Sequence, residues 1–303
     1  MTYLPAQRAP LPGGRWHFQH GPIDIIIGAA GNEMALKAAH ERAWQRFQSI
    51  LNELVAELPA LQRRVQGACP VSGVVTRRMW SACQPFQSTF ITPMAAVAGA
   101  VAEELLPAYQ APGIQRAWIN NGGDIALHLA PGSSVRVGLY ANLANFDEEQ
   151  LQNGISLDGQ LDIHSTSPVR GIATSGWRGR SFSLGVADSV TVLARTAAQA
   201  DAAATVIANA VNISDARIVR RPANDIKDSS DLGGLLVTVD VPVLREAQID
   251  GALAAGLACA LELRSRGLIS SAYLVCQNRI MTTERLTTEP LNIGSNQTAL
   301  EPA

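Results

Sequence analysis

The stretch Arg116-Ala-Trp-Ile-Asn-Asn-Gly-Gly-Asp-Ile-Ala-Leu-His-Leu129 decides the fold class. Residues 116–119 and 124–129 are rich in apolar and aromatic side chains, which favours two strands. Residues 120–123 between them carry a glycine pair, and glycine adopts the positive φ angles that a tight turn needs. The pattern therefore predicts two strands joined by a turn. The glycine pair also leaves backbone amides open to an anionic or polar ligand, so a plain turn and a ligand-binding loop are equally good interpretations of these residues alone.

Strands and helices are predicted on the N-terminal side of this stretch. Residues 15–20 and 23–27 favour two short strands. A helix follows Asn32, whose side chain can accept hydrogen bonds from the first turn, and runs to about Glu57. A second helix has Thr92 as N-cap, a proline at its first position and a run of small residues that predicts close packing against another backbone. The first helix carries an apolar stripe at spacings of three and four residues: Leu36, Ala39, Ala43, Phe47, Ile50 and Leu54.

The same order of elements returns in the second half. Thr196 and Gln199 form a capping box for a helix that runs to about Val211. A further helix spans about residues 246–266 and ends at Gly267. Strands, helices and strands, twice over, predict an α+β fold built by internal duplication. The strands of this half are predicted at residues 171–174, 180–184, 189–194 and 272–276.

The pattern also predicts how the chain is divided. A Pro/Gly-rich start indicates a flexible N-terminus at residues 1–14. A single domain is expected at residues 15–281, made of two similar halves at about 15–141 and 168–281. The polar, turn-rich residues between the halves form a connection. The aperiodic residues 282–303 predict a mobile tail.

The composition excludes two classes of partner. The 303 residues carry 24 Lys and Arg against 26 Asp and Glu, a formal charge of −2, so a protein that works by neutralising the phosphates of nucleic acid is excluded. No stretch reaches the roughly 18 uninterrupted apolar residues of a membrane span, and the start lacks the apolar core of a signal peptide. We therefore expect a cytoplasmic protein that binds neither nucleic acid nor a membrane.

One spacing is compatible with a metal site. Asp201 and Thr205 stand four residues apart on the predicted helix, so their oxygens share one face near its N-terminal end. Mg²⁺ takes oxygen ligands and keeps several waters, so one carboxylate, one hydroxyl and a backbone carbonyl could hold it. The alternative is that Asp201 only complements the helix dipole and that Thr205 is a tolerated residue within the helix.

A second segment carries hydroxyl groups at the end of a predicted strand. Thr174, Ser175 and Gly176 form a glycine-containing turn that can present hydroxyls and amides to phosphate or carbonyl oxygens. The segment lacks the second glycine and the lysine of a Walker A loop. No GxSxG motif is present, so a hydrolase that uses Ser175 or Thr174 as nucleophile is the weakest of the interpretations.

Four segments, taken in order, resemble the ApbE family. They are Thr92-Pro-Met-Ala-Ala-Val-Ala-Gly99, Asn121-Gly-Gly-Asp-Ile125, Ala173-Thr-Ser-Gly176, and Ser189-Val-Thr-Val192 followed by Ala200-Asp-Ala-Ala-Ala-Thr205. The resemblance covers roughly residues 91–210 and is closest to a shortened branch of the superfamily. In that branch Gly185-Val-Ala-Asp188 follows the Thr-Ser-Gly segment almost directly.

The resemblance implies a fold, a reaction and a site. The fold would have duplicated T-fold-like β-α-β halves, with antiparallel sheets, helices packed on them and a cleft between the halves. Better-known members are Mg²⁺-dependent transferases that split FAD and move FMN onto a threonine hydroxyl of a target protein. By position, Asp201 and Thr205 match the family's metal-binding residues, and Ala98 matches a residue that offers its backbone carbonyl. The residues that match segments lining the flavin pocket are Asn121, Gly122, Gly123, Asp124, Thr174, Ser175 and Gly176; no catalytic residue is assigned.

Two departures from the family pattern keep a second hypothesis open. Gly99-Ala100 stands where transferases have a Lys-Gly pair, and Trp177-Arg-Gly-Arg-Ser-Phe-Ser-Leu184 stands where they have His-Ile-Ile-Asp-Pro. The first hypothesis is Mg²⁺-dependent binding of FAD or FMN, or FMN transfer to a protein threonine, with a small phosphate-bearing ligand and an acceptor protein as partners. The alternative is a cytoplasmic accessory factor without transferase activity, which binds a small anionic metabolite or a partner protein in the same cleft. Whether the chain forms a homo-oligomer stays open.

Overall fold

Nine strands form one antiparallel sheet in a computed structural model of the chain, which describes residues 3–139 and 159–284. Outside this sheet, β6 (Ser134–Leu139) pairs with β7 (Gly159–His164), and β10 (Val219–Pro222) pairs with β11 (Leu236–Asp240). The predicted α+β fold with antiparallel sheets is thereby confirmed. From one edge to the other, the large sheet consists of β1 (Gln7–Leu11), β2 (Arg15–His20), β3 (Ile23–Gly31), β4 (Ile114–Asn121), β5 (Asp124–Leu129), β8 (Gly171–Ser175), β9 (Ser189–Ala194), β12 (Ser271–Cys276) and β13 (Arg279–Thr282).

The helices bury their apolar sides against one face of this sheet. The main core joins Ile25 and Ile27 of β3 to Ala43 and Phe47 of α1, and all four side chains are fully buried. No helix in the described part of the chain has the length and apolar run needed to cross a membrane. The helices are α1 (Glu33–Ala56), α2 (Leu58–Leu61), α3 (Val74–Cys83), α4 (Val97–Leu105), α5 (Ala197–Ala210) and α6 (Glu246–Ser265).

The small β6–β7 sheet covers part of the opposite face. Because side chains alternate along a strand, Ala126 of β5 lies in the helix-side core while Leu127 and Leu129 point to the other side. There they form a second apolar cluster with Val135 of β6 and Ile163 of β7. The middle of the sheet is therefore buried on both faces, and residues there are held in place from two sides.

The order of elements repeats along the chain. The hairpin β2–β3, the helices α1 to α4 and the hairpin β4–β5 are followed by the hairpin β8–β9, the helices α5 and α6 and the hairpin β12–β13. In each half the two hairpins lie side by side in the large sheet. The boundaries proposed for the halves, at about 15–141 and 168–281, stay a prediction.

The structure differs from the expected division at the N-terminal end and within the connection, while the predicted C-terminal tail stays a prediction. The Pro/Gly-rich start is not a free segment, because Gln7–Leu11 pairs along its length with β2. Within the expected connection, Gly159–His164 forms a strand, and residues 140–158 lie outside the described residues. β13 ends at the start of the expected tail, of which residues 285–303 are likewise outside the description.

The two predicted helix starts have different outcomes. The Asn32 side chain accepts hydrogen bonds from the N–H groups of Met34 and Ala35, at 3.0 and 3.2 Å, so it caps α1 as predicted. The Thr92 hydroxyl instead donates to Asp231 Oδ2 at 2.5 Å and makes no capping hydrogen bond. A short 3₁₀ turn at Pro93–Ala96 precedes α4, with Thr92 at its N-cap position and Pro93 at its first position as predicted, but the Thr92 hydroxyl does not cap the turn because it bonds a distant carboxylate.

Glu57, just after α1, caps the start of α3. Its carboxylate accepts hydrogen bonds from the N–H and the hydroxyl of Ser72, at 2.7 and 2.8 Å, from the Gly73 N–H at 3.2 Å and from the Thr76 hydroxyl. Burial raises the pKa of Glu57, but these hydrogen bonds outweigh burial and lower the pKa to about 2. The carboxylate therefore satisfies the N–H of Gly73, the N-cap residue of α3, and holds the turn that leads into this helix.

We expect Glu57→Gln to lower the free energy of unfolding by about 1.5–3 kcal/mol at neutral pH, the usual size of hydrogen bonds to a charged group. A carboxylate with a lowered pKa stabilises the fold above its unfolded pKa and loses that contribution as the pH falls. The difference between wild type and variant should therefore shrink as the pH falls from about 4.5 towards the folded pKa of about 2. Urea unfolding at neutral pH and near pH 3 measures both values.

A matched control is Glu262→Gln on α6, where the side chain is 67% exposed and its ion pair with Arg266 is long, at 3.4 Å. We expect that change to alter the free energy of unfolding by less than about 0.5 kcal/mol. If the Glu57 and Glu262 variants unfolded alike at neutral pH, the capping role of Glu57 would be contradicted.

Candidate functional site

The candidate site lies where the two halves of the large sheet meet, between β5 and β8. These strands face each other over two residue pairs, one of which joins Ile125 to Ile172. Beyond these pairs the backbone ladder ends, and the Thr174 N–H donates to Asp124 Oδ1 at 3.2 Å. The two strands therefore separate at the end of the sheet where both predicted turns lie.

The first of these turns, residues 121–124, is called the glycine turn below. Asn121 and Asp124 face each other as the last pair of β4 and β5, and Gly122 and Gly123 between them have φ angles of 67° and 112°. The interpretation as a hairpin turn is confirmed. A Cβ atom added to Gly123 would meet no atom within 4 Å, so a ligand can approach its backbone closely. Ligand binding by this turn stays a prediction.

The structure brings together three of the residues predicted to hold metal or ligand. Asp201 of α5 accepts a hydrogen bond from the Gly99 N–H of α4, at 2.9 Å to Oδ2. The carbonyl oxygen of Ala98 accepts one from Asn121 Nδ2 at 3.1 Å. A Cβ atom on Gly99 would overlap the carbonyl oxygen of Ala197, so the close approach of the two helices depends on glycine at position 99. Ala98, Asn121 and Asp201 thus form one connected group.

Thr205 is connected to this group only by its spacing from Asp201 on α5. It follows Asp201 by four residues on α5, and both side chains are partly buried. The spacing places them on the same face of the helix, as the sequence predicts. The role of Thr205 as a metal ligand stays a prediction.

Two carboxylates share this region at an electrostatic cost. Burial raises the pKa of Asp201 well above its ordinary value, and the nearby Asp124 raises it further, against hydrogen bonds from the amides of Gly99 and Ala98. Burial also raises the pKa of Asp124 to about 7, although the Thr174 amide and the charge of Arg180 oppose this shift. A divalent cation would relieve the cost of ionising both carboxylates.

The donor set fits Mg²⁺ better than a metal held by protein ligands alone. Within residues 3–139 and 159–284 no cluster of three or more His, Cys, Asp or Glu side chains is placed to hold a metal. Mg²⁺ is usually bound by one or two carboxylates with waters completing its shell. Asp124 and Asp201 meet that requirement, with the Ala98 carbonyl and the Thr205 hydroxyl as further oxygens.

The second turn, Thr174 to Gly176, is called the hydroxyl turn below. The Thr174 hydroxyl pairs with the Thr191 hydroxyl of β9 at 2.9 Å, and its backbone N–H is held by Asp124. A Cβ atom on Gly176 would overlap the carbonyl oxygen of Asp188, so only glycine fits there. The Thr174 hydroxyl therefore contacts another hydroxyl rather than a base that could activate it. The assignment of a catalytic residue stays open.

The segment at residues 177–184 contributes a residue that sequence reasoning missed. The prediction of a strand at residues 180–184 is wrong, because this part of the chain forms bends and irregular backbone. Arg178 pairs with Asp188, with Nε at 3.2 Å from Oδ1, and its guanidinium lies 4.9 Å from the centre of the Trp177 ring. The Arg180 guanidinium lies against Gly122, so that a Cβ atom on that glycine would overlap it. The strand interpretation hid this contact, since only the tertiary structure brings the segment to the glycine turn.

Two cavities in the described part of the chain lie away from these residues. One, of about 230 Å³, is lined by Arg78, Phe86 and Thr196 among others. The other, of about 470 Å³, lies beside Gln110 and His128. Neither includes the glycine turn or the hydroxyl turn, and we give the chemistry of the junction more weight than the volume of these cavities.

The chain matches one described family and several related proteins. A family described as AbpE bacteria matches residues 7–284. A UPF0280 protein of Methanopyrus kandleri is 33% identical over 228 residues, which cover 73% of this chain and 83% of the relative. A UPF0280 protein of Methanothrix thermoacetophila is 34% identical over 184 residues, covering 58% of this chain and 70% of the relative. The names of these relatives state no activity.

Solved structures give a more distant likeness. The apo form of the flavinyl transferase ApbE from Pseudomonas stutzeri is 13% identical, with a TM-score of 0.45 over 93% of this chain and 95% of that one. An ApbE protein from Thermotoga maritima is 12% identical, with a TM-score of 0.44 over 93% and 97%.

Proposed function

Since the chain belongs to the AbpE bacteria family, we propose that it binds Mg²⁺ and a flavin nucleotide at the junction of its two halves and transfers FMN from FAD to a threonine of an acceptor protein. The observation that carries this proposal is the pair of buried carboxylates, Asp124 and Asp201, beside a glycine turn with an open backbone. The resemblance of four sequence segments to the ApbE family supports the choice of ligand and reaction.

The residues of this chain would hold the metal and the ligand from opposite sides. The Gly99 amide fixes one oxygen of Asp201 and so orients the carboxylate. Asn121 in the same way orients the carbonyl group of Ala98. Gly123 is half-buried and its N–H donates to Asn120 Oδ1 at 2.8 Å, but no atom lies within 4 Å of where its Cβ would be, so a ligand can lie on that side without meeting a side chain. Asp124 and Asp201, with Ala98 and Thr205, would hold Mg²⁺.

The reaction would join the FMN phosphorus to the acceptor oxygen. In the transfer, the threonine hydroxyl would attack the FMN phosphorus and lose its proton to solvent, while the bond to the AMP oxygen breaks and AMP leaves with the electron pair. Mg²⁺ supplies charge neutralisation of the pyrophosphate when bound. The role of the protein is to fix the carboxylates and to keep the two halves of the sheet at a distance that admits the ligand. No base for the acceptor proton is assigned among the described residues.

The expected result is that purified protein binds FAD in the presence of Mg²⁺ and releases AMP when the acceptor is supplied. Removing Mg²⁺ with EDTA should weaken FAD binding at least about tenfold, because the charge of the pyrophosphate would then no longer be neutralised by the metal. Flavin fluorescence measures binding, and chromatography of the nucleotides measures AMP.

The accessory-factor hypothesis rests on the 177–184 segment, which replaces a transferase motif and is held by the Arg178–Asp188 pair. If the protein is folded by circular dichroism but neither binds FAD nor releases AMP, the flavin proposal is overturned and the accessory factor is favoured. FAD binding without AMP release, in the presence of a verified acceptor, would support a flavin-binding protein and overturn the transferase step.

A further inference from the structure

Arg180 differs from its neighbour Arg178 in what it contacts. Arg178 is engaged by Asp188 and by the Trp177 ring. Arg180 is exposed, and among the residues that the structure describes it forms no hydrogen bond and no ion pair. The charge of Arg180 acts on Asp124 from a distance, and its N–H groups stay available for a ligand.

The position of Arg180 links the two halves of the molecule at the candidate site. It follows β8 in the second half, and its guanidinium lies against Gly122 of the glycine turn in the first half. Gly122 has a φ angle of 67° and would overlap the guanidinium if it carried a Cβ atom. Position 122 therefore favours glycine for its backbone conformation, and the flexible Arg180 side chain would have to move aside to admit any other residue there.

Arg180 also supplies a charge that the site otherwise lacks. None of the residues 98, 121–124, 174–176 and 201–205 is basic. Asp124 is 8% exposed and forms no ion pair within 4 Å with Arg180 among the described contacts, so Arg180 is not a direct structural partner of that carboxylate. With a divalent cation bound and both carboxylates ionised, the cation, the two carboxylates and the guanidinium together carry one net positive charge. Such a site attracts a phosphate group once the metal is bound.

We propose that Arg180 binds the phosphate oxygens of the ligand at this junction and so selects for a pyrophosphate-bearing molecule. The proposal rests on the proposed function for the location of the site, and it names a residue of this chain that lies outside the four segments resembling the family. The planar guanidinium presents paired N–H donors whose spacing matches two phosphate oxygens.

The test measures binding of inorganic pyrophosphate by calorimetry in excess Mg²⁺. Arg180→Gln should weaken pyrophosphate binding about 10- to 100-fold, because it removes a charge-assisted hydrogen-bonding group. Arg180→Lys should recover part of the loss, since it keeps the charge and loses the fork. The exposed Arg63, changed to Gln, is the matched control and should leave the affinity within about twofold.

A second measurement separates ligand binding from a structural role. Mg²⁺ binding alone, followed by thermal stability, should be unchanged or tighter in Arg180→Gln, because the variant removes a positive charge near the metal. A variant that binds pyrophosphate as the wild type does would overturn the role of Arg180, whatever its stability.

The two proposals fail in different ways. Wild-type protein that binds pyrophosphate but not FAD would overturn the flavin function, and the comparison of Arg180 variants would still decide the role of Arg180. Wild-type protein that binds FAD, with equal affinity in Arg180→Gln, would overturn the Arg180 proposal and leave the flavin function standing. Wild-type protein that binds neither molecule would overturn both.

Discussion

Asp201→Asn is expected to abolish stabilisation by Mg²⁺ while leaving the metal-free protein as stable as the wild type, or more stable. The negative charge of Asp201 lowers stability when no metal is bound and raises it when Mg²⁺ is bound. Without metal, ionised Asp201 is costly, because burial and the neighbouring Asp124 both raise its pKa. An asparagine keeps the shape and can still accept from the Gly99 N–H with its oxygen, and its amide group can donate towards Asp124.

With metal the sign reverses, because the same carboxylate supplies the negative charge that holds Mg²⁺. At a concentration of 100 times the dissociation constant, a ligand stabilises a protein by about 2.7 kcal/mol. The variant should show none of this gain. Thermal unfolding with Mg²⁺ and with EDTA, for both proteins, measures the four values.

The matched control is Asp162→Asn on β7, an exposed carboxylate paired with Arg136 at 2.9 Å. It should keep the full response to Mg²⁺ and change the stability little, because exposed ion pairs contribute little. A full Mg²⁺ response in Asp201→Asn would place any metal elsewhere. A large loss of stability in EDTA would show that the Asp201 charge is needed by the fold itself.

Local sequence rules predicted α1 and α5 well, whereas α3 was not predicted. α1 is capped by Asn32 and buries Ala39, Ala43 and Phe47 of its predicted stripe. α5 begins after Thr196, whose side chain accepts from the Gln199 N–H at 3.3 Å. These features depend on residues within one or two turns of each other, so the sequence contains all the information they need.

Features that depend on distant contacts could not be predicted in the same way. β1 forms although it contains Pro10, because β2 supplies its partner backbone, not because its residues favour a strand. The Thr92 hydroxyl bonds Asp231, 139 residues away, in place of the expected cap. Arg180 reaches Gly122 only after the two halves come together.

The candidate site shows the same division. Resemblance to a family indicated Ala98, Asn121 and Asp201 as site residues, and the structure brings these three together. Their hydrogen bonds could not be derived from spacing, since α4, the glycine turn and α5 are far apart in the chain. Sequence motifs thus predicted the members of the group, while the packing of α4 on α5 sets their geometry.

That packing is tested by Gly99→Ala, which we expect to destabilise the protein by about 2 kcal/mol and to weaken Mg²⁺ binding as well. The added methyl group would overlap the backbone carbonyl of Ala197, and a backbone atom cannot turn aside as a flexible side chain can. Overpacking of this kind costs about 1–3 kcal/mol, which exceeds the gain of up to about 1 kcal/mol from replacing glycine in a helix. Since the Gly99 N–H also orients Asp201, moving α4 away from α5 should displace the carboxylate.

Gly251→Ala on α6 is the control, because it makes the same glycine-to-alanine change at a helix position that has no close contact. Gly251 is exposed within the helix, and a Cβ atom there would meet nothing within 4 Å. The substitution should therefore stabilise the protein by up to about 1 kcal/mol through helix propensity alone. Urea unfolding of both variants gives opposite signs if Gly99 is needed for close packing of α4 on α5. Equal stabilisation by the two substitutions would mean that α4 can move away from α5 at no cost, and that the position of Asp201 is not fixed by this contact.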